Sequence, residues 1–250
     1  MSIGMQVEGG IATITIDRPL RKNALRLEDW EALATQIEEA KASLAVRAII
    51  LTGGKPGQFC AGADIHDIAA NREDADWRAR KFAAVRACNR GLWEADIAVI
   101  AAIDGDCIGG GCGLALACDL RIATPQSRFG VTPAKLGIAY SRFDTHLLAA
   151  AIGVAEARRL LLTATLIDTE EACRIGLIHE ITDNALRRAR DLARTLIANS
   201  GHSIAATKQH LRAIASGTVD DDEESRSLFE DSYVQPGFAE RIAQFLQRKG

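Results

Sequence analysis

At 250 residues, with 48% apolar and 25% charged side chains, the chain is long enough to bury a substantial core, as one large domain or two small ones. Its composition excludes disordered and fibrous classes. A net charge of −3 offers no footprint for nucleic acid or an anionic bilayer, and no apolar run approaches membrane-spanning length.

Alternation in Met5–Glu8 and Ile11–Asp17 around Gly9-Gly10 predicts a β-hairpin. Leu27, Trp30, Leu33, Ile37 and Ala40 form one stripe of a helix over Leu27–Ala42. An apolar strand follows at Arg47–Thr52, then a Gly/Pro loop, then a longer helix over Asp74–Glu94. Ile97–Ile103 is the next strand and runs into Asp104-Gly105. Three glycines, Gly109 to Gly111, open an apolar helix ending at Cys118-Asp119, and Leu120–Ala123 is again a strand.

Beyond residue 140 the pattern turns helical: Asp144–Ala151, Ala155–Leu162, Thr169–Ile175, Asn184–Asn199, Ser203–Ser216, Asp221–Ser232 and Phe238–Arg248. Only Leu177–Ile181 reads as a strand there. The acidic run Asp220–Glu224 reads as the start of a helix, where carboxylates complement the dipole, and not as a metal site. The five histidines show no metal-ligand spacing.

Glycines between a strand and a helix let the backbone approach a ligand, and the helix start presents unpaired N–H groups and a positive dipole end. That suits a phosphate, a carboxylate or a developing oxyanion. Tight strand–helix packing is the competing explanation. A second segment, Phe59-Cys60-Ala61-Gly62-Ala63-Asp64, discriminates between them. Together with Gly109-Gly110-Gly111 it resembles the crotonase superfamily, the enoyl-CoA hydratase/isomerase family, and the likeness runs from Ile11 to the C-terminus.

The resemblance implies an α/β fold: a crotonase-like spiral of ββα units over residues 1–190 that binds acyl-CoA, with a C-terminal helical trimerisation region over 191–250. It implies an oxyanion hole made by the N–H groups of Ala63 and Gly110. The motif R-P-x-x-x-N-A-L, here Arg18 to Leu25, carries Lys22 as a candidate phosphate contact and Ala24 on the pantetheine path. Ala61, Asp64, Ile65 and Gly109 belong to the same substrate path, with Asp64 contributing its backbone or a helix cap. Lys249 is a candidate CoA contact near the C-terminus. The partner expected is an acyl-CoA thioester, with no cofactor beyond the coenzyme A that it carries. The assembly expected is a homotrimer or a dimer of trimers, without nucleic acid or membrane.

Hydratases of this family use two glutamates, one in G-G-G-C-E and one in F-G-x-P-E. Here those positions are Gly113 and Pro133. Hydration needs a base for water and an acid for the α-carbon, and neither residue carries a proton. A two-glutamate hydration mechanism is therefore not expected. The loop after Lys135-Leu136-Gly137 holds Tyr140, Ser141, Arg142 and Asp144, near where some isomerases and a dehalogenase of the superfamily carry their carboxylate. Asp144 reads in two ways, as a replacement acid/base or as the N-cap of a helix over Thr145–Ala151. Tyr140 reads as a hydrogen-bond donor or as packing, and Arg142 as a contact for an acidic substrate group or as an outward charge.

The leading expectation is an acyl-CoA enzyme stabilising a thioester enolate, isomerase-like or an atypical hydratase or lyase. A thioesterase or dehalogenase-like hydrolase and a non-catalytic acyl-CoA binder are the alternatives. The cysteines at 60, 88, 107, 112, 118 and 173 form no C-x-x-C pair and sit mostly in apolar surroundings. With an N-terminal stretch lacking a secretory pattern, they predict a cytoplasmic protein.

Overall fold

The computed structural model describes residues 2–54 and 57–247, and the chain divides into two compact units, Met1–Ile197 and Ala198–Gly250. In the first unit β1 (Ile3–Glu8) and β2 (Ile11–Ile16) form the expected hairpin, pairing Glu8 with Ile11 around Gly9 and Gly10, both at positive φ. Each later pass of the chain adds a helix and returns to the sheet. α1 (Leu27–Ala42) leads to β3 (Ala48–Gly53); α2 (Ile65–Asn71) and α3 (Ala75–Glu94) lead to β4 (Ala98–Ile103). β5 (Asp106–Ile108) and α4 (Gly110–Ala117) lead to β6 (Leu120–Ala123) and β7 (Arg128–Gly130). α5 (Arg142–Thr163), β8 (Ile167–Asp168), α6 (Thr169–Arg174), β9 (Glu180–Ile181) and α7 (Ala185–Ala198) complete this part.

The main sheet has six strands in the order β1-β2-β3-β4-β6-β9, parallel from β2 onward. Both faces of its centre are covered, which is why β3 and β4 are near-continuously apolar, whereas the hairpin strands β1 and β2 alternate. Ile49, Leu51, Val99, Ala101 and Ile103 belong to the larger core, with Trp30, Leu33, Leu92 and Leu114 of α1, α3 and α4. Ala48, Ile50, Ile100 and Ala102 face the other way, against Ala185, Ala189 and Ala193 of α7. Those alanines keep α7 with the first unit, so the division falls at Ile197/Ala198, where the sequence expectation had 190/191.

In the second unit, α8 (Gly201–Ala215), α9 (Glu223–Asp231) and α10 (Phe238–Gln247) follow one another. Asp222 and Ser225 form a capping box, so the acidic run does begin a helix. Among the described residues no group of His, Cys, Asp or Glu is placed to hold a metal ion, and no helix is long and apolar enough to cross a membrane.

Local expectations are corrected in the second sheet, the late strands and α5. A second sheet, β5-β7-β8, is absent from the sequence reading. Its strands are two or three residues long, too short for a period of two to register, and their pairing comes from tertiary contacts. For the same reason Leu177–Ile181 shrinks to β9, and Ile167–Asp168 is a strand the helical pattern concealed. Finally, the helix expected at Thr145 starts at Arg142, and its N-cap is Ser141, whose Oγ accepts the Asp144 N–H at 3.0 Å. The two helices expected over 144–162 meet inside α5 at Gly153, where φ is 76°.

Candidate active site

The loop Cys60–Asp64 and the start of α4 are in direct contact. A methyl group on Gly62, where φ is +88°, would stand 2.7 Å from Ile108 O and 2.9 Å from Gly110 N. One on Gly111 would stand 2.1 Å from Cys60 O. Only glycine permits this approach. β5 stitches the two segments: Cys60 N donates to Asp106 O at 2.9 Å and Ile108 N to Cys60 O at 3.0 Å. Trp30 lies beneath Gly110. Among the described residues neither Ala63 N–H nor Gly110 N–H donates a hydrogen bond, although their neighbours Gly62, Asp64 and Gly109 all do. Two adjacent backbone donors are thus left open, one of them at the positive end of the α4 dipole.

The loop Arg18–Leu25 holds this floor from below. Asn23 is 1% exposed, and its Nδ2 donates to Gln58 O at 2.8 Å and Phe59 O at 3.1 Å. Ala61 N donates to Lys22 O, and Leu25 exchanges bonds with Gly62 and Asp64. Arg18 pairs with Asp64 and with Asp29, each at 3.3 Å. Asp64 caps α2 by accepting the His66 N–H. Burial acts to raise the Asp64 carboxyl, but the His66 N–H and the Arg18 guanidinium outweigh it and hold it below its ordinary value.

On the far side of α4, side chains from three elements converge on Gly113. A Cβ there would meet Asn89 Nδ2 at 3.1 Å, Tyr140 Oη at 3.3 Å and Asp144 Cγ at 3.7 Å. Asn89 of α3 donates to Asp144 Oδ1 at 2.7 Å, and Asn89 Oδ1 is buried with no hydrogen-bond partner among the described residues. Asp144 is only 6% exposed. Its carboxyl is therefore not the cap of α5. Burial lifts it above the ordinary aspartate range, and hydrogen bonds with Ser141 and Asn89 offset only part of that rise. Burial, reinforced by the Asp144 charge, pushes the Tyr140 phenol well up, so it remains protonated.

A model of the enoyl-CoA hydratase/isomerase family matches residues 6–248. The chain belongs to the enoyl-CoA hydratase/isomerase family. It is 34% identical over 208 residues to the short-chain-enoyl-CoA hydratase of Clostridium acetobutylicum, covering 82% of this chain and 78% of that one. A crystal structure of an enoyl-CoA hydratase/isomerase family protein from Hyphomonas neptunium superposes with a TM-score of 0.94 at 34% identity, over 99% of this chain and 95% of that one. The enoyl-CoA hydratase of Bacillus anthracis superposes with a TM-score of 0.88 at 26% identity, over 99% and 97%. The α/β crotonase fold expected from the sequence is therefore the fold of this chain.

Lys22 lies in the left-handed region at φ 50°, and its side chain is 67% exposed with Nζ 3.7 Å from Asp106. Ala24 and Ala61 are half-buried along the same loop pair, and Ile65 is 50% exposed at the start of α2. Pro133 opens a 3-10 turn, Pro133–Leu136, and is not among the atoms nearest a Cβ on Gly113. Lys249 lies outside the described residues. The sequence reading did not single out Asn89, Asn23 or Arg18 as site residues. Arg18 and Asn23 lie inside the R-P-x-x-x-N-A-L motif, which is a local signal for them. Nothing local marks Asn89, whose partner lies 55 residues downstream.

Proposed function

We propose that the chain acts on acyl-CoA thioesters by stabilising a thioester enolate, with Ala63 and Gly110 N–H as the oxyanion donors and Asp144 as the proton carrier. The observation that carries this reading is the Asp144 carboxyl carbon, 3.7 Å from where a side chain on Gly113 would begin. By motif, Gly113 is where family hydratases carry a glutamate, so a carboxyl from α5 enters the space that α4 leaves empty.

The chemistry follows from balance. Asp144 takes a proton from the acyl chain; the C–H pair delocalises through the thioester onto its oxygen, which the two N–H groups stabilise. The same carboxyl then returns the proton to a different carbon and the double bond has moved. One carboxylate suffices for that shuttle, whereas hydration requires a second group for the water. Burial favours this role, because a carboxyl raised toward the operating pH is a better matched base. Asn89 holds it in place as a donor, while the Tyr140 hydroxyl beside it donates to Gly109 O at 3.5 Å. The open acceptor at Asn89 Oδ1 favours a second reading, atypical hydration, in which it holds a water beside Asp144.

Asp144→Asn tests the assignment. Turnover of an enoyl-CoA panel should fall at least roughly a hundredfold, the usual scale for general acid/base work. The dissociation constant of a saturated acyl-CoA should stay close to wild type, because the thioester contacts are backbone groups. Wild-type turnover in Asp144→Asn would overturn it.

The chemistry draws on coenzyme A only as part of the substrate and suits a cytoplasmic enzyme. We also propose that the second unit mediates a homotrimer or a dimer of trimers, because Phe229, Tyr233, Phe245 and Leu246 are all more than half exposed. A monomer mass in solution at micromolar concentration would contradict this.

A further inference from the structure

Between α3 and the start of α5 lies a cavity of about 110 Å³ that opens beside Asp144. Phe82 and Val85 of α3 and Phe143 of α5 supply apolar walls, and Ser141 and Asp144 complete the lining. Arg86 and Arg142 also line it. On the same two helices Arg80 pairs with Glu31 at 2.8 Å, Arg90 with Glu94 and Arg159 with Glu171 at 2.6 Å, whereas Arg158, which does not line the cavity, is unpaired among the described residues. Among the described residues, Arg86 and Arg142 take part in no salt bridge and no side-chain hydrogen bond. Two guanidinium groups without a partner thus share one small cavity, next to the carboxyl proposed to move the proton.

A neutral acyl tail has no use for this arrangement. The apolar walls would accept methylenes, but two cations at the same place would be left unpaired. An acyl group ending in a carboxylate uses both features, because a guanidinium fork matches a carboxylate and forms strong charge-assisted hydrogen bonds. The volume admits a short group of a few heavy atoms and excludes a fatty chain.

We propose that the cavity is a specificity subsite for short acyl-CoA thioesters bearing a distal carboxylate, held by Arg86 and Arg142. This rests on the reading that the acyl chain lies beside Asp144. A phosphate of coenzyme A is a second source of the same anionic chemistry, and the test separates the two.

Calorimetry with saturated thioesters, which undergo no double-bond chemistry, makes the test independent of turnover. Glutaryl-CoA and valeryl-CoA have equal chain lengths and differ in the terminal carboxylate. The wild-type protein should bind glutaryl-CoA at least tenfold more tightly. Arg86→Gln and Arg142→Gln, both exposed positions whose folding circular dichroism checks, should each remove most of that preference and leave valeryl-CoA affinity unchanged. Equal binding of the two thioesters overturns the proposal. An equal loss for both thioesters in the variants also overturns it, because the arginines would then serve the coenzyme A phosphates. If the preference holds while Asp144→Asn keeps full turnover, the proton-carrier reading fails and the carboxylate subsite stands. If turnover depends on Asp144 and no preference is seen, only the subsite fails. Binding of neither thioester overturns both.

Discussion

In the proposed site the thioester side is built from backbone and the proton-transfer side from side chains. Ala63 and Gly110 offer N–H groups positioned by Gly62 and Gly111, where any Cβ would strike the opposite segment. Asp144, Asn89 and Tyr140 come from α5, α3 and the loop between β7 and α5, and meet over the bare face of Gly113. A backbone device depends on one close approach of two segments and tolerates no side chain there. A side-chain device needs only a carboxyl in the right space, and any element that borders the space can deliver it. The first is constrained at fixed positions in the chain; the second is free to move between elements.

The largest effect is expected from damage to the backbone half. Gly62→Ala forces a Cβ to 2.9 Å from Gly110 N at a residue with φ +88°, so one donor must move. Turnover should drop by a factor of roughly a hundred to a thousand, the cost of losing one oxyanion donor. Unaltered kcat in a folded Gly62→Ala protein would show that the close approach is not needed.

A relocation test sharpens the other half. If space and not sequence position defines the proton carrier, Gly113→Glu in an Asp144→Asn background should recover about tenfold of the lost turnover. Gly113→Glu alone should impair the enzyme, because its Cβ enters at 3.1 Å from Asn89 and 3.3 Å from Tyr140. Recovery no greater than in Asp144→Asn would mean that the carboxyl must come from α5.

The smallest effect is on stability. Asp144 keeps its proton to higher pH in the folded chain than in the unfolded one. The stability it contributes is full below the unfolded aspartate value and is lost as pH rises through the raised folded value. At neutral pH Asp144→Asn should therefore melt a few degrees above wild type, and the difference should close below roughly pH 4, the ordinary aspartate range. Equal melting temperatures at neutral pH would contradict a buried, strained carboxyl. The same raised value predicts that turnover needing ionised Asp144 rises with pH through a midpoint above the ordinary aspartate range, and a pH–rate profile checks it.

The amino-acid sequence by itself determined the strand–helix alternation, the hairpin at Gly9-Gly10, the helix over Leu27–Ala42 and the two glycine-bearing segments that meet at Gly62 and Gly110. Each rests on local chemistry: apolar periodicity, positive φ, or a helix start that only glycine can crowd. Tertiary structure alone decided the β5-β7-β8 sheet, the support of Asn23 beneath the loop, and the buried placement of the Asp144 side chain. From sequence, a carboxylate near a helix start reads equally as a cap or as a pocket acid. Ser141 takes the cap, Asn89, 55 residues away in the chain, donates to the inward-turned Asp144 carboxyl, and burial raises that carboxyl. Burial is a property of which distant segments meet, and no local pattern around residue 144 encodes it.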